Sequence, residues 1–126
     1  MQGTMPLADI LTLPSIDSDG VWESSVYGCT FVNSSVRNAI SYKRLDAPEK
    51  RLEYIRISLC MRRDGINAVP IHICRAADMT YLHGVALPDE IEPDQLMMGN
   101  GHHRVMIAVR LRLVAMRWTD RLLESG

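Results

Sequence analysis

The stretch MMGNGHHRVMIAVRLRLVAM, residues 97–116, decides the fold, because it joins an apolar run, a polar glycine turn and a second, longer apolar run. Its pattern predicts a strand in QLMMGNG, a helix from about His102 to Leu113 and a last strand in LVAMRW. The helix is apolar on nearly every side, which favours burial against a sheet or under a partner. This order of elements indicates an α/β or α+β domain.

The glycine turn carries the strongest functional signal in the chain. Glycine tolerates positive φ and lets other groups approach its backbone, and the first turn of a helix presents unpaired N–H groups at its positive end. Imidazole and guanidinium groups add donors that suit phosphate oxygens. We therefore predict a phosphate-binding or nucleotide-binding loop, and a helix-capping turn is the structural alternative. The candidate residues are Gly99, Asn100, Gly101, His102, His103 and Arg104.

A second helix is predicted in PEKRLEYIRISLCMRR, residues 48–63. Pro48 suits the first helical position, and Asp64 and Gly65 end the pattern. Apolar residues recur inside it at spacings of three and four, which predicts one buried stripe. The stripe consists of Leu52, Ile55 and Leu59.

Shorter elements are predicted on either side of this helix. AVPIHICR, residues 68–75, is typical of a strand with Ile71 and Ile73 on one face and His72 and Cys74 on the other. Residues 76–95 mix two prolines with five acids and favour a surface loop with a short turn or strand. Near the start of the chain, ILTL and VYGCTFV predict brief strands or extended arms.

The chain has the length of one domain, at 126 residues. We expect an extended region with short strands over residues 1–47 and the core of the same domain over residues 48–126. The expected fold class is α+β with α/β-like features, in which helices pack on a small mixed sheet.

Charge is segregated along the chain, although the net charge is only −1. Residues 1–36 carry four acids and no base, and residues 37–63 carry eight bases and three acids. Residues 64–98 carry six acids and one base, and residues 99–126 carry five bases and two acids. We expect these blocks to pair with one another, because the chain lacks the basic excess of a nucleic-acid binder. A basic face for a polyanion is the alternative.

Composition also bears on compartment and metal content. No apolar stretch approaches the roughly 20 residues that cross a bilayer, and residues 1–36 lack the basic start of a signal peptide. We therefore expect a cytoplasmic protein with no membrane partner. Cys29, Cys60 and Cys74 show no zinc or redox spacing, so free thiols are expected. No metal site is predicted, because His72 and Cys74 have no second closely spaced ligand pair.

The stretch NGHHRVMIA resembles the signature of the ParB and sulfiredoxin superfamily, written in many members as Asp-Gly-His-His-Arg with an Ala shortly after. Asn100 stands where Asp is usual, and the matching residues are Gly101, His102, His103, Arg104 and Ala108. Upstream, ISLCMRRDGINAVPIHI resembles the same family's helix, glycine turn and Pro-Ile strand. The matching residues there are Ser58, Gly65, Ile66, Pro70 and Ile71.

The resemblance implies a fold like that of the ParB N-terminal domain and sulfiredoxin, whose glycine–arginine loop grips nucleotide phosphates. Members include partition proteins that bind and hydrolyse CTP, ATP-using sulfiredoxins, free-serine kinases and small ParB-like nucleases, several of them phage-encoded. Phosphate-binding roles are implied for Gly101, His103 and Arg104. His102 stands where sulfiredoxins carry a catalytic Cys, which excludes sulfinic-acid reduction, and GINAVP lacks the Gln that precedes the strand in partition proteins.

We therefore expect a stand-alone ParB-like domain that binds a nucleotide or a nucleic-acid backbone such as DNA. Nuclease or NTPase activity is left open, and no catalytic residue is assigned. A nucleoside triphosphate with Mg²⁺ is the cofactor that such activity would imply. The alternative is a catalytically inactive protein-interaction module, a phage-type protein that acts on a host or partner protein. A homodimer is compatible with either reading.

Overall fold

The computed structural model describes residues 1–16, 23–25, 28–30, 35–41, 43–45, 47–83 and 91–121. Within these residues, strands and helices alternate along much of the chain. In chain order the elements are β1 (Gln2–Pro6), α1 (Leu7–Thr12), β2 (Glu23–Ser25), β3 (Gly28–Thr30), α2 (Val36–Ile40), α3 (Arg51–Asp64), β4 (Ile71–Arg75), α4 (Ala76–His83), β5 (Leu96–Asn100), α5 (His102–Leu111) and β6 (Ala115–Thr119).

The main sheet is mixed and has the strand order β1-β6-β4-β5. β1 runs antiparallel to β6, β6 runs parallel to β4, and β4 runs antiparallel to β5. β2 and β3 form a separate antiparallel pair. The predicted small mixed sheet with packed helices, and with it the α+β class, is confirmed.

One face of the main sheet carries the larger core. Ile71 and Ile73 of β4, Met98 of β5 and Met116 of β6 pack there with buried residues from α1, α2, α3 and α5. The alternation predicted for β4 explains this face, because residues two apart in a strand point the same way. α5 therefore lies against the sheet at the end of β5, where the glycine turn connects the two elements.

The opposite face of β4 and β5 carries a smaller core. Cys74 and Met97 pack there with Ala76 and Met79 of α4 and with Ile16. Residues 76–83 therefore form a helix, and the surface loop predicted for them was wrong. The physical reason is that Ala76 and Met79 are spaced three apart and bury one helical face on the sheet.

Residues 14–16, which follow α1, extend the sheet beyond β5. Ser15 forms a parallel bridge to Met98, the Met98 N–H donates to the Pro14 carbonyl, and the Ile16 N–H donates to the Met98 carbonyl. Ser15 is fully buried as a result. This short strand-like segment reaches the base of the glycine turn and becomes part of its support.

The stripe predicted to be the buried face of α3 points away from the core. The exposed fractions of Leu52, Ile55 and Leu59 are 78%, 49% and 60%, whereas Met61 is buried among the core residues. Gly65 ends the helix in the left-handed conformation, as predicted, but the first residue is Arg51 rather than Pro48. The buried face was therefore assigned wrongly, because α3 carries apolar residues on two sides.

Two other boundaries differ from the predictions. ILTL lies largely in α1, where Leu7, Ile10 and Leu11 recur at helical spacing and are buried. α5 ends at Leu111 because Arg112 adopts the left-handed conformation, and the Leu113 N–H then bonds to the Ala108 carbonyl. In VYGCTFV, residues 28–30 form a strand as predicted, and its other residues lie outside the described part of the chain.

One ion pair among the described residues is long-range, since the Met1 ammonium group lies 2.7 Å from Oδ1 of Asp120. The others are local. The side-chain pairs are Lys50–Glu53, Arg63–Asp64 and Arg75–Asp78, none of which joins residues more than three apart. Met1–Asp120 joins the first charge block to the last, and Arg63–Asp64 spans the boundary between two others, whereas the remaining pairs lie within one block. The general pairing of blocks stays a prediction. In the described part of the chain, no helix combines the length and apolar character required to cross a bilayer.

Candidate functional site

The glycine turn is shaped by Gly101, which sits between β5 and α5. Its φ is 101°, in the region that favours glycine, and it is the residue that caps α5. A Cβ at this position would lie 2.7 Å from Cγ2 of Ile71. Glycine is therefore required both by the backbone conformation and by the close approach of β4, as the sequence predicted.

Asn100 closes the turn with its own side chain. Its Oδ1 accepts a hydrogen bond of 2.8 Å from the Gly101 N–H, which leaves the amide NH₂ group as a donor on an exposed residue. The pairing of β4 with β5 shifts register here, since His72 faces Asn100 but Ile73 faces Met98. Gly99 is the extra residue of this bulge, which turns the end of the strand toward α5.

His102 is directed into the protein. Its residue is 4% exposed, and its Nε2 lies within hydrogen-bond distance of Oγ of the fully buried Ser15. This bond ties the start of α5 to the strand-like segment beyond β5. The imidazole thus supports the turn from the side that faces the protein interior. Because Ser15 is buried, a substrate cannot reach this Ser–His pair.

His103 lies on the opposite side of the turn and contacts α3. Its ring stacks on Tyr54, with ring centroids 5.1 Å apart and an angle of 20° between the planes. An offset stack of two rings fixes both side chains at little entropic cost. The N-terminal half of α3 is thereby held against the turn and forms one wall of a pocket.

The pocket at the turn has a volume of about 210 Å³. Its walls are formed by residues 100–104 on one side and by Lys50, Glu53, Tyr54 and Ile57 on the other. Lys50 and Arg104 contribute two positive charges and Glu53 contributes one negative charge. The net charge of the lining is therefore +1 when the histidines are neutral. Lys50 and Glu53 are 3.5 Å apart and both about half exposed, a geometry that gives little stability.

Arg104 separates this pocket from a second cleft. The second cleft has a volume of about 180 Å³, is mostly apolar, and is lined by Arg104 together with Ile57, Met61 and the loop at residues 67–69. No described residue forms an ion pair with Arg104. Arg104, whose guanidinium carries five N–H donors, therefore lines both clefts and has no ion-pair partner among the described residues.

The loop that walls the apolar cleft is fixed by Asn67. Its side chain is buried, donates to the carbonyl oxygens of Val69 and Arg117, at 2.8 and 3.0 Å, and accepts from the Arg117 N–H at 2.8 Å. Asn67 thus satisfies three backbone groups that would otherwise lose their partners. The loop GINAVP is held on β6 at a fixed distance from Arg104.

His72 and Cys74 remain apart from this site. Burial lowers the pKa of His72, while a hydrogen bond from its Nε2 to the Asp120 carbonyl, 3.2 Å away, opposes that shift. Burial also raises the pKa of the Cys74 thiol to about 11, so the thiol stays protonated at neutral pH. Among the described residues, no three His, Cys, Asp or Glu side chains are placed to bind a metal ion.

The structure therefore brings five of the six predicted residues, Asn100 to Arg104, to one pocket, and Gly99 shapes the strand that precedes it. Nothing in the sequence marks the residues of the opposite wall. α3 and its cap carry Lys50, Glu53 and Tyr54, but the sequence predicted the other face of this helix to be buried. Two further contributors, Ser15 and Asn67, are isolated polar residues among apolar ones.

Comparisons with family models, with curated proteins and with solved structures found no match for this chain. The resemblance to the ParB and sulfiredoxin superfamily stays a prediction that rests on the residues quoted for it.

Proposed function

We propose that this protein binds a phosphate-bearing ligand, a nucleotide or a nucleic-acid backbone, at the turn formed by residues 99–104. The observation that carries the proposal is the position of Arg104. Its side chain lines the polar pocket, and no described residue neutralises it by an ion pair. Guanidinium groups bind phosphate oxygens through paired hydrogen bonds, which makes Arg104 the principal contact.

Asn100 supports an anionic ligand rather than a metal ion. An Asp at this position would accept the same bond from the Gly101 N–H, but it would add a negative charge at the mouth of the pocket. Asn100 keeps the hydrogen bond from the Gly101 N–H that closes the turn, and its remaining NH₂ group is a hydrogen-bond donor. The departure from the usual Asp of the resembling family therefore favours phosphate over a directly bound cation.

The two clefts on either side of Arg104 favour a nucleotide over a free phosphate ion. Pockets for small molecules usually exceed roughly 300 Å³, whereas the polar pocket measures about 210 Å³ and the apolar cleft about 180 Å³. They share Ile57 and Arg104 and therefore adjoin, and we propose that one ligand spans both. Phosphates would bind on the polar side, and an aromatic base would contact the apolar side.

A nuclease or NTPase activity is the further step of the same proposal. Glu53 is the carboxylate that the described residues bring to the polar pocket, and it is about half exposed. A Mg²⁺ ion bound to the phosphates would find its protein ligand there. If the protein is an enzyme, Glu53→Gln is expected to abolish Mg²⁺-dependent hydrolysis of nucleoside triphosphates or cleavage of DNA while leaving binding measurable.

Calorimetric titration with pyrophosphate, nucleotides and short DNA tests the binding proposal. Because one charge-assisted hydrogen bond contributes about 1.5–3 kcal/mol, Arg104→Ala should weaken binding by about tenfold or more. Asn100→Asp should weaken it as well, because it places a carboxylate beside the phosphate. Arg37→Ala, which changes an exposed arginine on α2, is the matched control and should bind like the wild type.

The comparison of ligands identifies the source of the phosphate. A nucleic-acid backbone would show a steep loss of affinity with salt, and a nucleotide would bind more tightly than pyrophosphate because its base fills the apolar cleft. No binding of any of these ligands to the wild type, or equal binding by Arg104→Ala, would contradict the proposal.

A further inference from the structure

We propose that the outer face of α3 docks an acidic amphipathic helix of a partner protein. The starting observation is the stripe formed by Leu52, Ile55 and Leu59, which the sequence marks as a buried face and which the structure leaves 49–78% exposed. Its residues are spaced by three and four, so they lie in a row that is about 10 Å long. A row of this kind is what a second helix needs for contact along its axis.

The stripe borders a groove with a volume of about 510 Å³. Ile55 and Leu59 form part of its apolar floor, and the two walls come from α3 and from residues near Leu45. Four arginines surround this floor, and none of the lining residues that the structure describes is acidic; the arginines are Arg44, Arg51, Arg62 and Arg110. The groove is therefore apolar at its centre and strongly positive at its rim.

Most of this positive charge lacks a counter-ion in the described part of the chain. Arg51, Arg62 and Arg110 form no ion pair with any described residue, and Arg44 donates a hydrogen bond of 3.1 Å to the Lys43 carbonyl. Like charges held around one groove repel one another and favour binding of a group with the opposite charge. An apolar floor with a cationic rim fits a helix with apolar residues on one side and Asp or Glu beside them.

Two other occupants fit the same observations less well. A second copy of this chain, related by a two-fold axis, would bring the same arginines to the same interface and would add repulsion. A nucleic acid would use the arginines but would leave the exposed side chains of Leu52 and Leu59 without apolar partners. The acidic amphipathic helix is the occupant that uses both the stripe and the rim.

This docking surface goes beyond the phosphate pocket, with which it shares Tyr54. Arg104 and residues 99–103 do not line the groove, so variants of the two sites can be separated. Failure of phosphate binding would leave the docking proposal standing, and the reverse also holds.

The test is selection from two displayed libraries of helical peptides, each about four turns long with leucines at spacings of three and four. The flanking positions are acidic in one library and basic in the other. The acidic library should yield peptides that bind the wild-type protein in fluorescence anisotropy and lose affinity with added salt. Leu59→Glu and Arg62→Glu should each weaken binding by about tenfold or more, as expected for central interface residues.

Two variants control for effects of charge and surface alone. Val114→Glu changes an apolar residue that is 84% exposed, and Arg37→Glu changes an exposed arginine; both lie outside the groove and should bind like the wild type. Leu52→Glu provides a second test of the stripe if Leu59→Glu does not fold.

Three results would overturn the proposal. The first is the absence of enrichment in the acidic library, or peptide affinity that Leu59→Glu leaves unchanged. The second is a wild-type dimer, measured by light scattering, that Leu59→Glu dissociates, because the occupant would then be another copy. The third is DNA binding that Arg62→Glu removes and Leu59→Glu does not affect.

Discussion

Gly101 combines two constraints that can be separated by experiment. Its φ of 101° disfavours any side chain, and a Cβ there would also collide with Ile71. Gly65, at the end of α3, has a φ of 71°, and no atom of the described residues would lie within 4 Å of a Cβ added there. The pair therefore allows the steric cost at the candidate site to be measured against the conformational cost alone.

We expect Gly65→Ala to lower the free energy of unfolding by about 1–2 kcal/mol, the cost of the left-handed conformation. Gly101→Ala should lower it by about 1–3 kcal/mol more, because the new methyl group overlaps the side chain and backbone of β4. Urea denaturation of both variants measures the difference. Equal destabilisation of the two proteins would show that the Ile71 side chain moves aside without an energetic cost, and it would contradict close packing of Gly101 on β4.

His72 provides a prediction about pH. Burial lowers the pKa of its imidazole below the ordinary value of 6.5, so the folded protein holds this side chain neutral over a wider range than the unfolded chain does. As pH falls below 6.5, the unfolded state takes up the proton first and is favoured. Stability that is fully present above this pH is therefore lost until pH reaches the lowered pKa of the folded state.

We expect the wild type to lose more stability than His72→Gln between about pH 7.5 and about pH 5.5, a range in which carboxyl groups titrate little. The two denaturation midpoints at each pH give the comparison, and the difference between the proteins removes contributions from the other histidines. A wild type and a variant with parallel pH dependence would mean that His72 is as accessible to protons in the folded state as in the unfolded one.

At the scale of elements, α3 gives the sharpest test of which face is buried. Leu59 is 60% exposed, whereas Met61, two residues further, is 2% exposed and lies in the core. Leu and Met have similar helix propensities, so truncation of each to Ala isolates the contribution of packing. Leu59→Ala should change stability by no more than about 0.5 kcal/mol, and Met61→Ala should cost about 2–5 kcal/mol.

Thermal and urea unfolding of both variants provide the measurement. If Leu59→Ala costs as much as Met61→Ala, the stripe of α3 is covered in solution. The groove beside α3 would then not be free for a partner helix.

Some elements could be predicted from the sequence and others could not, for physical reasons. β4, β5 and β6 follow from short apolar runs, and the end of α3 follows from Gly65. The face of α3 was ambiguous, because Leu52, Ile55 and Leu59 form one apolar row and Tyr54, Ile57 and Met61 form another. Only packing against α5 decides which of the two rows is buried.

α4 and the end of α5 show two further limits. The acids and prolines of residues 76–95 suggested a loop, but burial of Ala76 and Met79 on the sheet outweighs that composition in its first part. α5 ends at Leu111 because Arg112 adopts a φ of 57° without being a glycine, so no residue type marked the boundary. Tertiary contacts override local preference in both elements.

At the scale of the whole molecule, the candidate site is assembled from segments far apart in the chain. The loop at residues 99–104 was predicted from its own composition, because glycine, histidine and arginine act there through local chemistry. Its walls come from Lys50 to Ile57 and from the loop fixed by Asn67. Such contacts depend on the order of strands in the sheet, which one sequence does not specify.

The arrangement also places two sites with different chemistry on the two sides of one helix. The proposed phosphate pocket lies between α3 and the glycine turn, and the proposed docking groove lies along the outer face of α3. Tyr54 contributes to both and stacks on His103. A partner bound in the groove would therefore contact the same side chain that supports the pocket.

The most direct test of the central claim is an NMR titration of the ¹⁵N-labelled protein with pyrophosphate and then with nucleotides. We predict the largest shifts for the backbone amides of Gly101 to Arg104 and for the side-chain amide of Asn100, and their loss in Arg104→Ala. Shifts confined to the groove near Arg51 and Arg62, or no shifts at the turn at saturating ligand, would contradict the assignment of this turn as a phosphate site.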